Sequence, residues 1–344
     1  MLAMQLLAPW PVDHDDPLVV SELPEPEPGP GQILLTVRAC GVCHTDLHTV
    51  EGDLSLPRLP LVPGHQVVGV IKALGAGVTR FQVGDRVGVA WVHATCGVCR
   101  FCRNGQENLC AEARFTGLHN HGGYAGAMLA QADFAFALPA GFADEQAAPL
   151  LCAGVIGYRA LRLSQVQPGQ RLGLFGFGAS AHITIQVARH LGCEVFVFTR
   201  SAAHQAHAAA LGAVWTGAPQ ETPPQPLDAA INFTPSGAIT LDILRVLERG
   251  GTAVLAGIHS SPIPEFDYRL LYGERQLRSV TNATRQDAEE LLALATEIPL
   301  QTDIEVFTLL EANQVLRRLK RSQITGAAVL QLSLIHISEP TRPY

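Results

Sequence analysis

The chain has 344 residues, 47% of them hydrophobic, and carries a formal net charge of −7 at pH 7. This length accommodates two domains, and an acidic chain without a Lys/Arg cluster is expected to use neither nucleic acid nor an anionic membrane surface as its main partner. We expect no signal peptide and no membrane span, because the N-terminus lacks a basic segment and no apolar run reaches the ~20 residues that cross a bilayer.

Residues 1–152 are predicted to form a compact, mostly β domain. Short β-branched runs such as ILLTVRA, QVVGVIKAL and RVGVAWV alternate with turn signals such as EPEPGPGQ and VGDRV. Cys43 in GVCHTDLH, His65 in PGHQ and Cys152 in LLCAG stand in or at the end of this region. Two thiolates and one imidazole, with water in the fourth position, can hold a catalytic zinc. Taken singly, a cysteine after a β-run is more often a small buried hydrophobe than a ligand, but the other motifs of the chain favour the zinc interpretation.

The segment of residues 93–112 contains four cysteines in the run CGVCRFCRNGQENLC, at Cys96, Cys99, Cys102 and Cys110. The spacing C-x2-C-x2-C-x7-C lets one loop surround a tetrahedral Zn²⁺, and it predicts a structural zinc site. The alternative is a pair of disulfides, which cysteines this close in sequence form only under strain and which require an oxidising compartment. Eight cysteines without an export signal instead predict a reducing, cytoplasmic location.

Residues 153–287 alternate apolar strands with amphipathic helices, as in RLGLF, ASAHITIQVARHLG, EVFVF and AAHQAHAAALG. This alternation predicts a doubly wound parallel sheet. Residues 288–332 follow as helix, strand and helix, and end in GAAVLQL, a strand that can return to the first domain.

A dinucleotide-binding turn is predicted in RLGLFGFGASAH, between a strand and a helix. Gly176 permits the tight turn, Gly178 lets the backbone approach a pyrophosphate, and Ala181 is small enough for close packing of helix on strand. The free N–H groups at the start of the helix would face the phosphates. The alternative is a purely structural glycine turn.

The end of the next strand predicts the cofactor. A carboxylate there usually binds the ribose 2′-hydroxyl of NAD, but this strand ends in Thr199-Arg200 without an acid. A hydroxyl beside a guanidinium suits a 2′-phosphate, so NADP(H) is favoured and NAD(H) is the alternative. The alternative for Arg200 is that it faces solvent or stacks on adenine without contacting the phosphate.

Residues 333–344, SLIHISEPTRPY, break the preceding pattern and resemble a translated sequencing adapter. We interpret them as a non-native tail, the alternative being a genuine amphipathic segment, and exclude them from the fold prediction.

Several motifs in this order resemble those of the zinc-dependent alcohol dehydrogenases of the medium-chain dehydrogenase/reductase superfamily. They are GVCHTDLH, PGHQVVG, GDRV, the cysteine run, LLCAGVIGYRAL and GFGASAH, and the likeness covers residues 1–332. The resemblance implies a GroES-like β-rich catalytic domain, built from both ends of the chain, with an inserted Rossmann domain. It also implies hydride transfer between a nicotinamide cofactor and an alcohol/aldehyde or alcohol/ketone pair, two zinc ions per chain, and a homodimer or homotetramer.

The resemblance assigns roles to individual residues around the zinc. It makes Cys43, His65 and Cys152 the catalytic zinc ligands and Asp46 the carboxylate that orients His65. Thr45 would hydrogen-bond the substrate oxygen and begin a proton relay that ends at His48.

Two further roles concern the cofactor and the substrate. His44 would lie near the cofactor pyrophosphate. Trp91 would form a pocket wall that narrows the site toward small or flat substrates, or would be an ordinary core tryptophan.

Two positions depart from the family pattern. Gln66 stands where many relatives have glutamate beside the histidine ligand, and Ala327 stands where a pyrophosphate-binding arginine is common. Two other functions remain open: a carbonyl or enal reductase on the same scaffold, and a catalytically silent nucleotide-binding protein. Zinc-free enoyl and quinone reductases share the fold but lack Cys43, the cysteine run and Cys152.

Overall fold

The computed structural model describes residues 1–298 and 300–332. The predicted non-native tail, residues 333–344, lies outside the described residues. Among the described residues, no helix is both long enough and apolar enough to span a bilayer.

The strands of the described chain, in order, are β1 (Leu2–Leu6), β2 (Leu18–Glu22), β3 (Gln32–Val42), β4 (Gln66–Leu74), β5 (Arg86–Val89), β6 (Val92–Ala94), β7 (Arg114–Phe115), β8 (Ala127–Gln131), β9 (Ala135–Ala137), β10 (Arg171–Phe175), β11 (Glu194–Phe198), β12 (Trp215–Gly217), β13 (Leu227–Asn232), β14 (Leu247–Leu255), β15 (Gln276–Ser279), β16 (Ile304–Thr308) and β17 (Ala327–Gln331).

The α-helices are α1 (His44–Glu51), α2 (Arg100–Arg103), α3 (Asp144–Ala147), α4 (Ala153–Ser164), α5 (Ala179–His190), α6 (Ala202–Ala210), α7 (Ile239–Val246), α8 (Arg285–Glu297) and α9 (Ala312–Lys320).

The central part of the chain forms a six-stranded sheet in the order β12-β11-β10-β13-β14-β15, and every neighbouring pair is parallel. In chain order this is the 3-2-1-4-5-6 arrangement of a doubly wound dinucleotide-binding sheet. Strand β10 is buried on both faces: Leu172 and Leu174 belong to one hydrophobic cluster, and Phe175 belongs to another. The predicted doubly wound parallel sheet is therefore confirmed.

The two ends of the chain share a second sheet in the order β16-β17-β3-β4-β5-β9, with β8 also paired to β3. The C-terminal strand β17 runs antiparallel to β3, so that GAAVLQL does return to the N-terminal region. Helix α1 begins directly after β3, and His65 immediately precedes β4, which places the motifs around Cys43 and His65 at the same edge of this sheet.

The cysteine-containing segment, residues 93–112, is fastened to the start of α8. Glu107 is only 4% exposed, and its Oε1 accepts hydrogen bonds from the backbone N–H of Arg285 (2.9 Å) and from Nε of the same residue (3.2 Å). Arg285 is the first residue of α8, whose N–H has no partner within the helix. Glu107 therefore caps a helix that lies far away in sequence.

Candidate active site

Three predicted metal ligands meet where β3, β4 and α4 come together. The Cys43 Sγ lies 3.5 Å from Nε2 of His65 and 3.9 Å from Sγ of Cys152. A tetrahedral zinc with Zn–S bonds of about 2.3 Å separates its ligand atoms by about 3.8 Å, so the spacing fits this ion. His65 is buried, and the two thiols are partly exposed.

The local backbone explains why these atoms converge. Cys43 caps the N-terminus of α1, and its Sγ accepts from the backbone N–H of Thr45 at 3.3 Å. Gly64, just before His65, has a φ of +97°, and a Cβ there would come within 2.4 Å of the Tyr124 ring. Only glycine therefore allows this turn into β4, which sets the position of the His65 ring.

Asp46 orients the histidine. Its Oδ1 lies 3.0 Å from Nδ1 of His65, while its Oδ2 accepts from the backbone N–H of Cys43 at 2.9 Å. Burial opposes a charged imidazole, but the negative charges of Asp46 and Cys43 outweigh it and raise the pKa of His65 to about 10. The negative charges of Asp46 and Cys43 around this buried ring favour a bound cation. Because Asp46 contacts Nδ1, the other ring nitrogen, Nε2, faces the metal-ligand group.

The Cys43 and Cys152 thiols are in direct contact, with their Sγ atoms 3.9 Å apart. The hydrogen bond from Cys152, together with the charge of His65, holds the pKa of the Cys43 thiol well below its ordinary value. A thiolate is the form that binds metal, so the polypeptide already stabilises one ligand in its binding state.

The four cysteines of residues 93–112 converge on a second point. Neighbouring Sγ atoms are 3.5 Å (Cys99 to Cys102), 3.6 Å (Cys110 to Cys96) and 3.9 Å (Cys96 to Cys102) apart. These separations match the edges of a ZnS₄ tetrahedron and far exceed the ~2.05 Å of a disulfide. The disulfide alternative is not the arrangement seen.

The proposed relay residues lie on α1. Thr45 is 8% exposed and His48 follows one turn later, on the same face of the helix. Nδ1 of His48 lies 2.8 Å from Oδ2 of Asp53, whose side chain is 47% exposed. Sequence reasoning missed Asp53, although its position just after the αL glycine that ends α1 was a signal.

A second residue that sequence reasoning missed comes from the nucleotide-binding part of the chain. His259, in the loop after β14, has its ring centroid 5.4 Å from that of His48. His44 is exposed, and its ring centroid lies 6.4 Å from the ring of His48. Three imidazoles therefore lie close together, with the His48 ring near those of both His44 and His259.

Trp91 stands beside the candidate zinc ligands. Its ring meets that of His65 edge-on with centroids 5.0 Å apart, and it stacks on Phe115 at 5.0 Å with an interplanar angle of 10°. Phe115 in turn contacts the ring of His119 at 5.4 Å. These side chains form one aromatic wall next to the metal-ligand group, and Phe115 was not identified from sequence.

The glycine turn lies between β10 and α5, as the sequence predicts. Gly176 has a φ of +85°, a Cβ on Gly178 would meet nothing within 4 Å, and Ala181 is fully buried. No side chain caps the N-terminus of α5, so its first N–H groups stay available to an anion. The open side of Gly178 leaves the room that a pyrophosphate requires.

Thr199 and Arg200 follow β11 at the predicted position. Thr199 is 7% exposed, and its carbonyl accepts from Nε2 of Gln205 at 2.8 Å. Arg200 is exposed. The structure places both residues at the carboxyl edge of the sheet, where ligands of this fold bind.

The two residues that differ from the family pattern, Gln66 and Ala327, are both buried. Gln66 is buried with its amide over Gly41, where a Cβ would come within 2.8 Å of the amide carbon. Ala327 is buried in β17 opposite Ile304. Cys40 and Cys193 are buried, where a free cysteine packs as a small apolar side chain.

Sequence comparisons place these features in a known family. Residues 29–140 match the alcohol dehydrogenase GroES-like domain, and residues 181–297 match the zinc-binding dehydrogenase domain. A probable alcohol dehydrogenase, AdhA, of Mycobacterium tuberculosis (strain CDC 1551 / Oshkosh) is 46% identical over 96% of this chain and 97% of its own length. The chain belongs to the zinc-dependent alcohol dehydrogenase family.

Other members of the zinc-dependent alcohol dehydrogenases agree with this assignment. An alcohol dehydrogenase of Geobacillus stearothermophilus is 37% identical over 92% of this chain and 96% of its own. A cinnamyl alcohol dehydrogenase of Sorghum bicolor has a structure that superposes with a TM-score of 0.87 at 28% identity, covering 96% of this chain and 98% of that one.

These comparisons confirm the predicted GroES-like and Rossmann fold and the predicted function class. The chain is a zinc-dependent oxidoreductase acting on an alcohol/aldehyde pair with a nicotinamide cofactor.

Proposed function

We propose that this alcohol dehydrogenase carries two zinc ions per chain and interconverts small or flat alcohols with their aldehydes or ketones, using NADP(H) in preference to NAD(H). The observation that carries the proposal is the meeting of Cys43, His65 and Cys152 beside the aromatic wall of Trp91 and Phe115. This group leaves a fourth tetrahedral position for substrate.

The zinc ligands and the residues beside them are proposed to have separate roles. Cys43, His65 and Cys152 would hold the catalytic zinc, which when bound supplies a Lewis acid that acidifies an alcohol or polarises a carbonyl. Asp46 keeps Nδ1 of His65 occupied so that Nε2 stays with the metal. The aromatic wall of Trp91 and Phe115 beside the ligands would offer a flat substrate an apolar surface to pack against.

Proton movement is assigned to α1. The Thr45 hydroxyl would accept the proton of the alcohol while releasing its own toward His48, the partly exposed base that would pass it to solvent. The Asp53 carboxylate supports this role, because its contact with Nδ1 fixes the orientation of the His48 ring.

The nucleotide cofactor would be held by the turn of Gly176, Gly178 and Ala181. The uncapped N–H groups of α5 support phosphate binding there. Arg200 and Thr199 support a preference for a 2′-phosphate. A guanidinium makes stronger hydrogen bonds to a charged phosphate than to the neutral 2′-hydroxyl of NAD. Desolvation lowers the pKa of His44, so its neutral imidazole is proposed to donate an N–H hydrogen bond to the pyrophosphate, at which Ala327 provides no arginine.

We further propose a cytoplasmic homodimer or homotetramer. The proposed domain bounds are 1–152 for the catalytic domain, 153–287 for the Rossmann domain and 288–332 for the return segment. The exposed residues around the edge strand β15, which include Tyr268 and Tyr272, support self-association.

Metal content and turnover, measured on one sample, test the central proposal. We expect about two zincs per chain by elemental analysis, together with aldehyde reduction that is faster with NADPH than with NADH. One zinc without turnover would contradict the proposal and favour a nucleotide-binding protein that holds zinc only in the segment of residues 93–112, the cysteine lobe.

A further inference from the structure

Arg58 and His121 meet outside the set of residues that the proposed mechanism uses. Nη2 of Arg58 lies 3.0 Å from Nε2 of His121, and Nδ1 of the same ring lies 3.1 Å from the backbone nitrogen of Val62, three residues before the ligand His65. Arg58 is exposed and His121 is partly exposed, so a dissolved molecule can reach both side chains.

Backbone hydrogen bonds fix the position of His121. The N–H of Gly122 donates to the carbonyl of Val62 at 2.7 Å, and the N–H of Tyr124 donates to the carbonyl of Pro63 at 3.0 Å. The segment that carries His121 is therefore joined to the segment that leads into β4. The imidazole has a defined place in the fold, and an exposed arginine side chain is directed at it.

The backbone N–H of Val62 determines the tautomer of His121. Val62 is 1% exposed, and a buried N–H needs an acceptor, which here is Nδ1 of the ring. Burial, followed by the charge of Arg58, lowers the pKa of His121. The ring is therefore neutral near pH 7, and its single proton is on Nε2 because Nδ1 is the acceptor.

Two hydrogen-bond donors consequently face each other. A guanidinium has only N–H donors and no acceptor, and Nε2 of His121 is also a donor in this tautomer. The 3.0 Å separation between Nη2 and Nε2 is unfavourable when nothing accepts from either group. An oxygen acceptor that receives both N–H groups removes the conflict.

The charge around the pair favours an anion over a neutral acceptor. No salt bridge among residues 1–298 and 300–332 includes Arg58. The sequence has no Asp or Glu in residues 54–84, which carry Arg58, or in residues 113–132, which carry His121. The two segments that form the pair therefore bring no carboxylate of their own.

We infer that Arg58 and His121 form a carboxylate-binding site on the segment that leads to His65. One carboxylate oxygen accepts from the guanidinium and the other from Nε2 of the imidazole, and the anion offsets the charge of Arg58. Charge-assisted hydrogen bonds of this kind are roughly twice as strong as neutral ones. The inference goes beyond the proposed function, in which neither residue has a role.

Two sources of a carboxylate fit this site. One is a distal carboxylate on the substrate, since the site and the ligand His65 are on the same segment of chain. The other is a separate small carboxylic acid that binds without being turned over. The chemistry that Arg58 and His121 recognise is the same in both.

Acetate is the probe for the site itself. In zinc-loaded enzyme with isotope-labelled histidine, the NMR signal of the His121 ring is identified by its absence in His121→Gln. Titration with acetate at neutral pH should shift this signal along a saturable curve. Arg58→Gln should weaken the binding about tenfold or more, because it removes the charge-assisted bond.

A matched variant controls for the general effect of charge. Arg249→Gln changes an exposed arginine on β14 and should leave the acetate curve unchanged. A His121 signal that stays constant throughout the titration would overturn the inference, and so would acetate binding that is equal in wild-type protein and Arg58→Gln. Acetate that shifts only the signals of other histidines, such as His65, would also overturn it.

Matched substrates then distinguish the two sources, without the need for His121→Gln to fold. 4-Formylbenzoate and its methyl ester share the aldehyde and the ring, and only the former has a carboxylate. If the substrate supplies the carboxylate, kcat/KM should favour 4-formylbenzoate about tenfold, and Arg58→Gln should bring the ratio to within about twofold of unity. Acetate binding together with a ratio that Arg58→Gln does not change assigns the site to a separate acid.

The acetate titration also separates this inference from the proposed function. Saturable binding in a protein that does not reduce aldehydes would count against the proposed reaction and support the site. Normal turnover without any acetate response at His121 would do the opposite.

Discussion

The two candidate zinc sites of this chain are built in opposite ways. The four ligands of the cysteine lobe lie within residues 96–110, so one loop encloses the site. Cys43, His65 and Cys152 are brought together only by the folding of β3, β4 and the chain entering α4. A local site can stabilise its own loop, whereas a dispersed site depends on the whole domain and leaves a coordination position open for chemistry.

Removing a catalytic ligand should sharpen this contrast most. Cys43→Ser is expected to reduce turnover by at least about a thousandfold, because serine is a poor zinc ligand and the fourth position loses its Lewis acid. Zinc should fall from two per chain to one, since the cysteine lobe is untouched. Elemental analysis with steady-state kinetics measures both, and retention of full activity would show that the ligand is misassigned.

Removing a lobe ligand should have the complementary effect. Cys99→Ser is expected to lose the other zinc and to lower the free energy of unfolding by roughly 3 kcal/mol or more, since metal binding contributes to folding. Thermal unfolding with and without a chelator measures this loss. A variant with unchanged stability but no activity would contradict the division between the two sites.

A smaller effect is expected when the three zinc ligands are kept and only the carboxylate that orients His65 is changed. Asp46→Asn removes the charge that raises the pKa of His65, and it is expected to weaken zinc at the catalytic site about 10- to 100-fold. Competition with a chelator of known affinity measures the effect. The lobe zinc serves as the internal control, because its affinity should not change.

The mildest expected effect concerns the nucleotide. Arg200→Ala should raise KM for NADPH by about tenfold and leave KM for NADH within about twofold, because only the former carries the 2′-phosphate. Arg189→Ala, which changes an arginine on α5 that donates to the carbonyl of Leu211, is a matched control. Equal changes for the two cofactors in Arg200→Ala would remove the case for a phosphate site.

Features whose residues are close in sequence could be predicted, whereas features whose residues are far apart in sequence could not be predicted from spacing alone. The cysteine lobe and the Gly176–Gly178 turn have fixed local spacing, and the parallel sheet follows from the strand and helix alternation, so pattern reasoning predicted them. The grouping of Cys43, His65 and Cys152 needed the family resemblance, because nothing in their spacing reports the distance between their side chains. The roles of Arg200 and Trp91 stay predictions.

Residues that depend on tertiary contacts were not found. Asp53 pairs with His48 through a turn, His259 reaches the same ring from another part of the chain, and Arg58 meets His121 only when two distant segments come together. Each of these depends on side-chain direction and pairing register, which the period of hydrophobic residues does not encode.

The cap that Glu107 provides to α8 affects how this protein could be shortened by design. Residues 93–112 look like a detachable loop, since they hold their own metal site and form little regular structure. Their deletion would also expose the first backbone N–H of α8 and the guanidinium of Arg285, two groups that Glu107 now satisfies. A minimal variant without the lobe would therefore need a replacement acceptor at that helix start, such as a carboxylate introduced from a neighbouring segment.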